Sequence, residues 1–223
     1  MMLDYRRRKI LESIGIDYWV GRGNVEAEKK NNTYVEESDL ALLAQRVRSC
    51  TKCQLHKNRL NTVFGVGNER ARLMVVGEAP GAEEDKSGEP FVGRAGQLLD
   101  RMLSAIGVRR EQVYIANVLK CRPPQNRNPN SSEILSCKGY LEEQIALIAP
   151  VVILATGRFA ARSLLRTEDG IAQLRTNLHT LPETDIPVVV TYHPAYLLRS
   201  PIEKSKAWID LKRVCSLLED AEV

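Results

Sequence analysis

The chain has 223 residues, 43% of them hydrophobic and 27% charged, with 14 Gly and 10 Pro. It is too apolar to stay disordered, too poor in Gly and Pro for low complexity, and sized for one domain plus an extension. No apolar run reaches the roughly 18 residues of a spanning helix, and a net charge of +4 does not by itself mark a polyanion-binding surface.

The first residues carry a basic run, Arg6 to Lys9, with no apolar stretch behind it. This does not read as a secretory signal, so a cytoplasmic, reducing setting is expected. Arg6 to Val20 could form a short helix bearing Ile10, Leu11, Ile14 and Tyr18, and residues 21–38 read as a polar linker. Residues 1–38 are therefore expected to be an extension, and residues 39–223 the folded domain. Ser38 caps a helix with Leu40, Leu43, Ala44 and Val47 on one face, running into Cys50. Residues 49–140 hold 14 basic and 9 acidic side chains, the one segmental sign of a polyanion partner.

From Arg72 onward short apolar runs alternate with helical patterns. The runs are Leu73–Val76, Val113–Ala116, Val151–Leu154 and Val188–Thr191. Each is continuous, as in strands covered on both faces. Between them lie stripes over Ala95–Ile106 and Ile134–Ile148, the latter opened by Asn130 and Glu133 as a capping pair and closed by Pro150. A shorter helix is expected over Arg158–Leu165 and a last one over Glu203–Leu218, with Trp208, Leu211, Cys215 and Leu218 as its core stripe. Strand–helix alternation predicts an α/β domain with a parallel sheet between two helical layers.

In such sheets ligands bind beyond the carboxyl ends of the strands. Gly77-Glu78-Ala79-Pro80-Gly81 follows the first strand, Asn117 the second and Tyr192-His193-Pro194 the fourth. A carboxylate, an amide and an imidazole are thus expected in one crevice. Nucleotide fingerprints fail: Arg70 stands where Gly65-Val66-Gly67 needs a third glycine, and Glu83, Glu84 and Asp85 would repel a triphosphate. Cys50 and Cys53 have chelating spacing, and Cys121 and Cys137 can complete an all-thiolate set, with zinc and iron–sulfur both open. His56 is then unnecessary as a ligand, and His179 reads as a surface residue.

The runs GEAPGAEEDKSGEPFVGRAGQLLDRML, NVLKCRPPQNRNP and HPAYLLR resemble the family 4 uracil-DNA glycosylases, from about Cys50 to Arg213. The resemblance implies a three-layer α/β/α sandwich around a four-stranded parallel sheet. It implies a 4Fe-4S cluster on Cys50, Cys53, Cys121 and Cys137, mainly structural in role. It further implies hydrolysis of the N-glycosidic bond of uracil flipped out of DNA, with Phe91 stacking on the base, Asn117 reading its polar edge and His193 near the uracil O2. Glu78 would stand where related families position water. Gly77, Ala79, Glu84 and Asn126 match further site positions, and Leu198 and Arg199 suit a wedge into the stack and a phosphate contact. One departure is Leu174-Arg175-Thr176, where the family usually has Gly in third place; Thr lacks the freedom of Gly at positive φ.

The expected partner is uracil-containing DNA, with replication or repair proteins as further candidates, no membrane and a monomeric state. A rival reading is the same fold acting on deaminated purines such as hypoxanthine. Another is a non-catalytic iron–sulfur protein that binds DNA and senses redox state.

Overall fold

The computed structural model describes residues 38–221. The helix expected over residues 6–20 and the linker before Ser38 lie outside them. Ser38 accepts a hydrogen bond from the Ala41 amide at 3.2 Å, opening α1 (Asp39–Arg48). A chain of strands and helices follows: β1 (Val66–Gly67), β2 (Leu73–Gly77), α2 (Ala82–Ser87), α3 (Arg94–Ala105) and β3 (Tyr114–Asn117). Next come α4 (Ser131–Ile148), β4 (Val152–Thr156), α5 (Arg158–Leu165) and α6 (Ile171–Leu174). The chain closes with β5 (His179–Thr180), β6 (Pro187–Thr191), α7 (Pro194–Arg199) and α8 (Lys204–Asp220).

The sheet order is β1-β3-β2-β4-β6-β5. The inner four strands are parallel, as the sequence pattern requires. The outer two, each two residues long, run antiparallel to β3 and β6. They add to the four expected strands, because two-residue strands carry no periodicity to read. Alternation along β2 sends Leu73 and Val75 into one layer with α3 and α8, and Met74 and Val76 into the other with α1, α4 and α5. The result is the expected three-layer sandwich. β2 feeds β3 on one side, and the chain then crosses to β4 on the other. The crevice at this reversal lies beyond the carboxyl ends of the central strands.

Two local expectations need correction. On α8 the buried residues are Ala207, Asp210, Leu211 and Val214, while Trp208 is 43% exposed and Cys215 is half-buried. The face that packs lies one step around the helix from the expected stripe and includes a charged residue, Asp210. His179 is not a free surface residue: it lies on β5, half-buried, with a ring nitrogen 2.8 Å from the Leu174 carbonyl. Thr176 needs no positive φ. Its hydroxyl donates to the Gln173 carbonyl at 2.7 Å, so a helical turn with its own side-chain bond replaces the family glycine.

Candidate active site and cysteine pocket

Four strand ends carry the site. Gly77 closes β2, Asn117 closes β3, Gly157 follows β4, and His193 lies two residues beyond β6. A Cβ on Gly77 would stand 2.3 Å from the Asn117 Oδ1 and 2.7 Å from the Phe91 ring. The amide and the aromatic ring therefore meet over a residue that must have no side chain. Phe91 and His193 stack with ring centroids 5.6 Å apart and planes 28° from parallel. Beneath His193, a Cβ on Gly157 would come within 3.0 Å of the His193 Cβ. Gly157 also has φ +90°, a region open to glycine. Sequence reasoning missed Gly157, although a glycine directly after a buried strand was its visible signal.

The Phe91 wall is built against backbone preference. Phe91 has φ +55°, uncommon for a bulky residue. Glu84 secures it: one carboxylate oxygen accepts from the Val92 and Gly93 amides at 3.0 and 3.1 Å, the other from the Gly81 amide at 3.1 Å. Glu84 thus ties the loop after β2 to the loop that carries Phe91. Arg110 donates to the Pro90 carbonyl at 2.6 Å while paired with Asp100. Gly96, in the first turn of α3, lets the helix approach: a Cβ there would lie 1.7 Å from the Phe91 carbonyl oxygen.

His193 is a one-ended donor. The Ala195 amide donates to its Nδ1 at 3.2 Å, which leaves the neutral ring's proton on Nε2. Burial pulls its pKa down to about 4, and the Arg199 charge adds to this. The ring is therefore neutral at physiological pH. Burial pushes Glu78 up to about 7, partly opposed by Arg158. A carboxyl so tuned exchanges its proton near neutrality. Asn117 is 2% exposed, and its main-chain carbonyl accepts from the Nζ of the buried Lys120 at 2.8 Å. Lys120 also donates to Gln144.

The remaining expected site residues lie farther out. Ala79 is half-buried against the core of the α4 side. Leu198 (36% exposed) and Arg199 occupy the last turn of α7, at the surface. Asn126 is exposed in the turn Pro124–Asn126 and accepts from Arg122 at 2.7 Å. Among the described residues no hydrogen bond ties it to Phe91, Asn117 or His193.

Cys50, Cys53, Cys121 and Cys137 line one pocket with Val47, His56, Arg59, Lys120 and Tyr140. Three N–H groups address its sulfurs: Arg59 to Cys121 at 3.1 Å, the Lys120 amide to Cys137 at 3.3 Å, and the Lys52 amide to Cys50 at 3.5 Å. Hydrogen bonds to sulfur of this kind accompany thiolate-held metal clusters. Among the described residues no three Cys, His, Asp or Glu side chains are gathered to hold a single metal ion. Four thiols on one pocket wall, with N–H donors aimed at three of them, are the donor chemistry of a thiolate-held metal centre. Burial raises both Cys121 and Cys137, the latter to about 11, so metal uptake must release protons.

A second concavity, of about 660 Å³, lies between α4, α5 and residues 181–186. Its charged rim is paired internally, Arg166 with Glu142 and Glu183, and Lys138 with Glu142. It is remote from the strand ends and takes no part in the site.

Residues 64–212 match the Uracil DNA glycosylase superfamily, whose class the sheet and its strand-end site define. A type-4 uracil-DNA glycosylase from Archaeoglobus fulgidus is 44% identical over 181 residues, covering 78% of this chain and 91% of that protein. A second, from Thermotoga maritima, is 44% identical over 190 residues, covering 79% and 97%. A type-5 uracil-DNA glycosylase from Pyrobaculum aerophilum is 30% identical over 146 residues. The chain belongs to the type-4 uracil-DNA glycosylase family.

The Phe91 wall can be tested through two helical glycines. Gly96→Ala should destabilise the protein by about 3 kcal/mol in denaturant unfolding, because the added methyl meets backbone. Gly139→Ala, with nothing within 4 Å of the added Cβ, should stabilise it by up to about 1 kcal/mol.

Proposed function

We propose that this protein excises uracil from DNA as a monofunctional glycosylase in DNA repair, hydrolysing the N-glycosidic bond and leaving an abasic site. The observation that carries the reading is the meeting of Asn117, Phe91 and His193 around Gly77. A base inside a duplex is beyond reach of such a crevice, so the nucleotide must be flipped out. Phe91 offers its ring face to the base. The buried Asn117 amide presents a donor and an acceptor to an edge on which uracil and cytosine carry opposite patterns. His193 Nε2–H stands ready for the uracil O2 as negative charge gathers on the leaving base. The loss of one such donor costs about 3 kcal/mol, or roughly 100-fold in rate. Glu78, ionised above about pH 7, holds the attacking water. Leu198 and Arg199 take the wedge and phosphate roles at the DNA surface.

Lys120 supports hydrolysis without a lyase step. It is the lysine nearest Asn117 in sequence, 1% exposed, and its Nζ is committed to the Asn117 carbonyl and to Gln144. A Schiff base needs a free amine at the substrate. No described helix is long and apolar enough to cross a membrane.

The cysteine pocket is proposed to hold a 4Fe-4S cluster on Cys50, Cys53, Cys121 and Cys137. When bound, the cluster would serve as a cross-link among three chain segments and take no part in bond cleavage. Its ligands come from the segment just past α1, the loop after β3 and the first half of α4. The loop between Cys121 and Asn130 contains three prolines and only one short turn, so it has little regular structure of its own. Anaerobically purified protein should be brown with a broad visible band, and Cys137→Ser should lose it. A colourless preparation carrying one zinc would overturn the assignment.

Oligonucleotides containing uracil, hypoxanthine or no lesion, followed by alkaline cleavage, test the activity. Uracil-dependent strand breaks are expected. Hypoxanthine-only breaks, or none, would reject the proposal. Asn117→Ala should abolish uracil release and leave salt-dependent DNA affinity intact.

The pH profile tests Glu78. The rate should rise through about pH 7, and Glu78→Gln should be slow and lack that limb. The raised pKa means that folding disfavours the ionised carboxylate. The resulting destabilisation is absent below the ordinary carboxylate range and complete above about pH 7. Glu78→Gln should therefore melt higher than the wild type at pH 8, with the difference vanishing near pH 4.5.

A further inference from the structure

Arg175 and Asp210 form an ion pair that the reaction as described leaves unused. Arg175 is 8% exposed and Asp210 is 1% exposed. Arg175 Nε donates to Asp210 Oδ2 and its NH2 to Oδ1, both at 2.9 Å, a two-pronged contact. The same NH2 donates to the Lys206 carbonyl at 2.7 Å, and Arg213 donates to the Arg175 carbonyl at 2.6 Å. The guanidinium is thereby fixed to α8 at both its side chain and its backbone.

What the pair holds in turn is the approach to His193. Asp210 Oδ2 also accepts from the Thr191 hydroxyl at 2.8 Å. Thr191 is wholly buried at the end of β6. The Arg175 guanidinium lies 4.6 Å over the ring of Tyr192. Both residues preceding His193 are thus gripped by one ion pair. The His193 ring has a single hydrogen bond among the described residues, to the Ala195 amide of its own turn. It otherwise rests on Gly157 and stacks on Phe91. Its backbone must be placed from outside the turn, and Thr191 and Tyr192 are where that placement is made.

We infer that the buried Arg175–Asp210 pair, acting through Thr191 and Tyr192, is a positioning device that sets the donor of His193 against the base; this rests on the proposed excision activity. A buried ion pair adds little net stability over an apolar pair of similar volume. Geometry is what this one supplies. A bidentate guanidinium fixes a carboxylate plane, and that plane leaves Oδ2 one further direction, which Thr191 takes. A donor displaced by about 1 Å can cost on the order of 100-fold in rate without changing what binds.

The test is single-turnover excision from a uracil oligonucleotide by the wild type, Thr191→Val, Thr191→Ser and Arg175→Lys. Each variant is measured alone and combined with His193→Ala. Thr191→Val should slow the chemical step roughly 10-fold and Arg175→Lys roughly 30-fold, with DNA affinity unchanged. Thr191→Ser, which keeps the hydroxyl, should restore the wild-type rate. In the His193→Ala background the same changes should slow the step less than about 2-fold, because the residue they position is gone. Equal slowing in both backgrounds would overturn the inference, and so would an unchanged rate when His193 is present. Thr191→Val leaves the ion pair intact, so it decides the matter even if Arg175→Lys does not fold. A wild type inactive on uracil overturns both this inference and the activity it rests on. An active wild type without the His193-dependent slowing overturns this inference alone.

Discussion

The site depends on an absence of atoms at the end of β2. The Asn117 amide and the Phe91 ring close over Gly77 at distances that no Cβ could share. Everything that follows is arranged to keep those two groups there. Phe91 is held at positive φ, a conformation that costs of order 1–3 kcal/mol. Glu84 and Arg110 offset that cost with hydrogen bonds to the backbone on either side of it. Gly96 allows α3 to begin close behind it. Asn117 is held from below, where Lys120 grips its carbonyl. The reader of the base and the wall against which the base stacks are therefore supported independently and meet over one glycine.

The two helical layers serve the site differently. On the α4 side the cysteine pocket fastens the chain just after β3, three residues past Asn117, through Lys120, whose amide faces Cys137 and whose amine faces Asn117. On the α8 side the Arg175–Asp210 pair fastens the chain just before His193. Polar groups buried in both layers converge on the residues that would face the base, while the strand residues between them are apolar and packed. Rigidity at the strand ends comes from the layers, and the sheet supplies the spacing.

Much of this was legible in the chain. Four continuous β-branched runs announced a doubly covered parallel sheet, and polar residues directly after three of them marked the crevice. What stayed hidden had a physical reason in each case. Glu84 matches a site position by resemblance, but its role is not readable in the acidic run, because its bonds go to amides three, eight and nine residues away. Asp210 is an acidic residue whose partner lies 35 residues upstream, which no local pattern encodes. Gly157 was passed over because a close approach between segments leaves no trace except the glycine. Asn126, matched by motif alone, is exposed in a short turn and accepts from Arg122.

The outermost strands carry a consequence for the molecule in a crowded solution. A four-stranded parallel sheet has two open margins of unpaired amides and carbonyls, each a template on which another chain could grow. Here each margin is taken by an antiparallel strand of two residues. One of them contains Gly67, where a Cβ would lie 1.9 Å from the Val113 carbonyl oxygen. A strand so short offers an incoming chain too few groups to pair with. The sheet can keep its apolar strands dense and continuous because neither margin offers a long free edge.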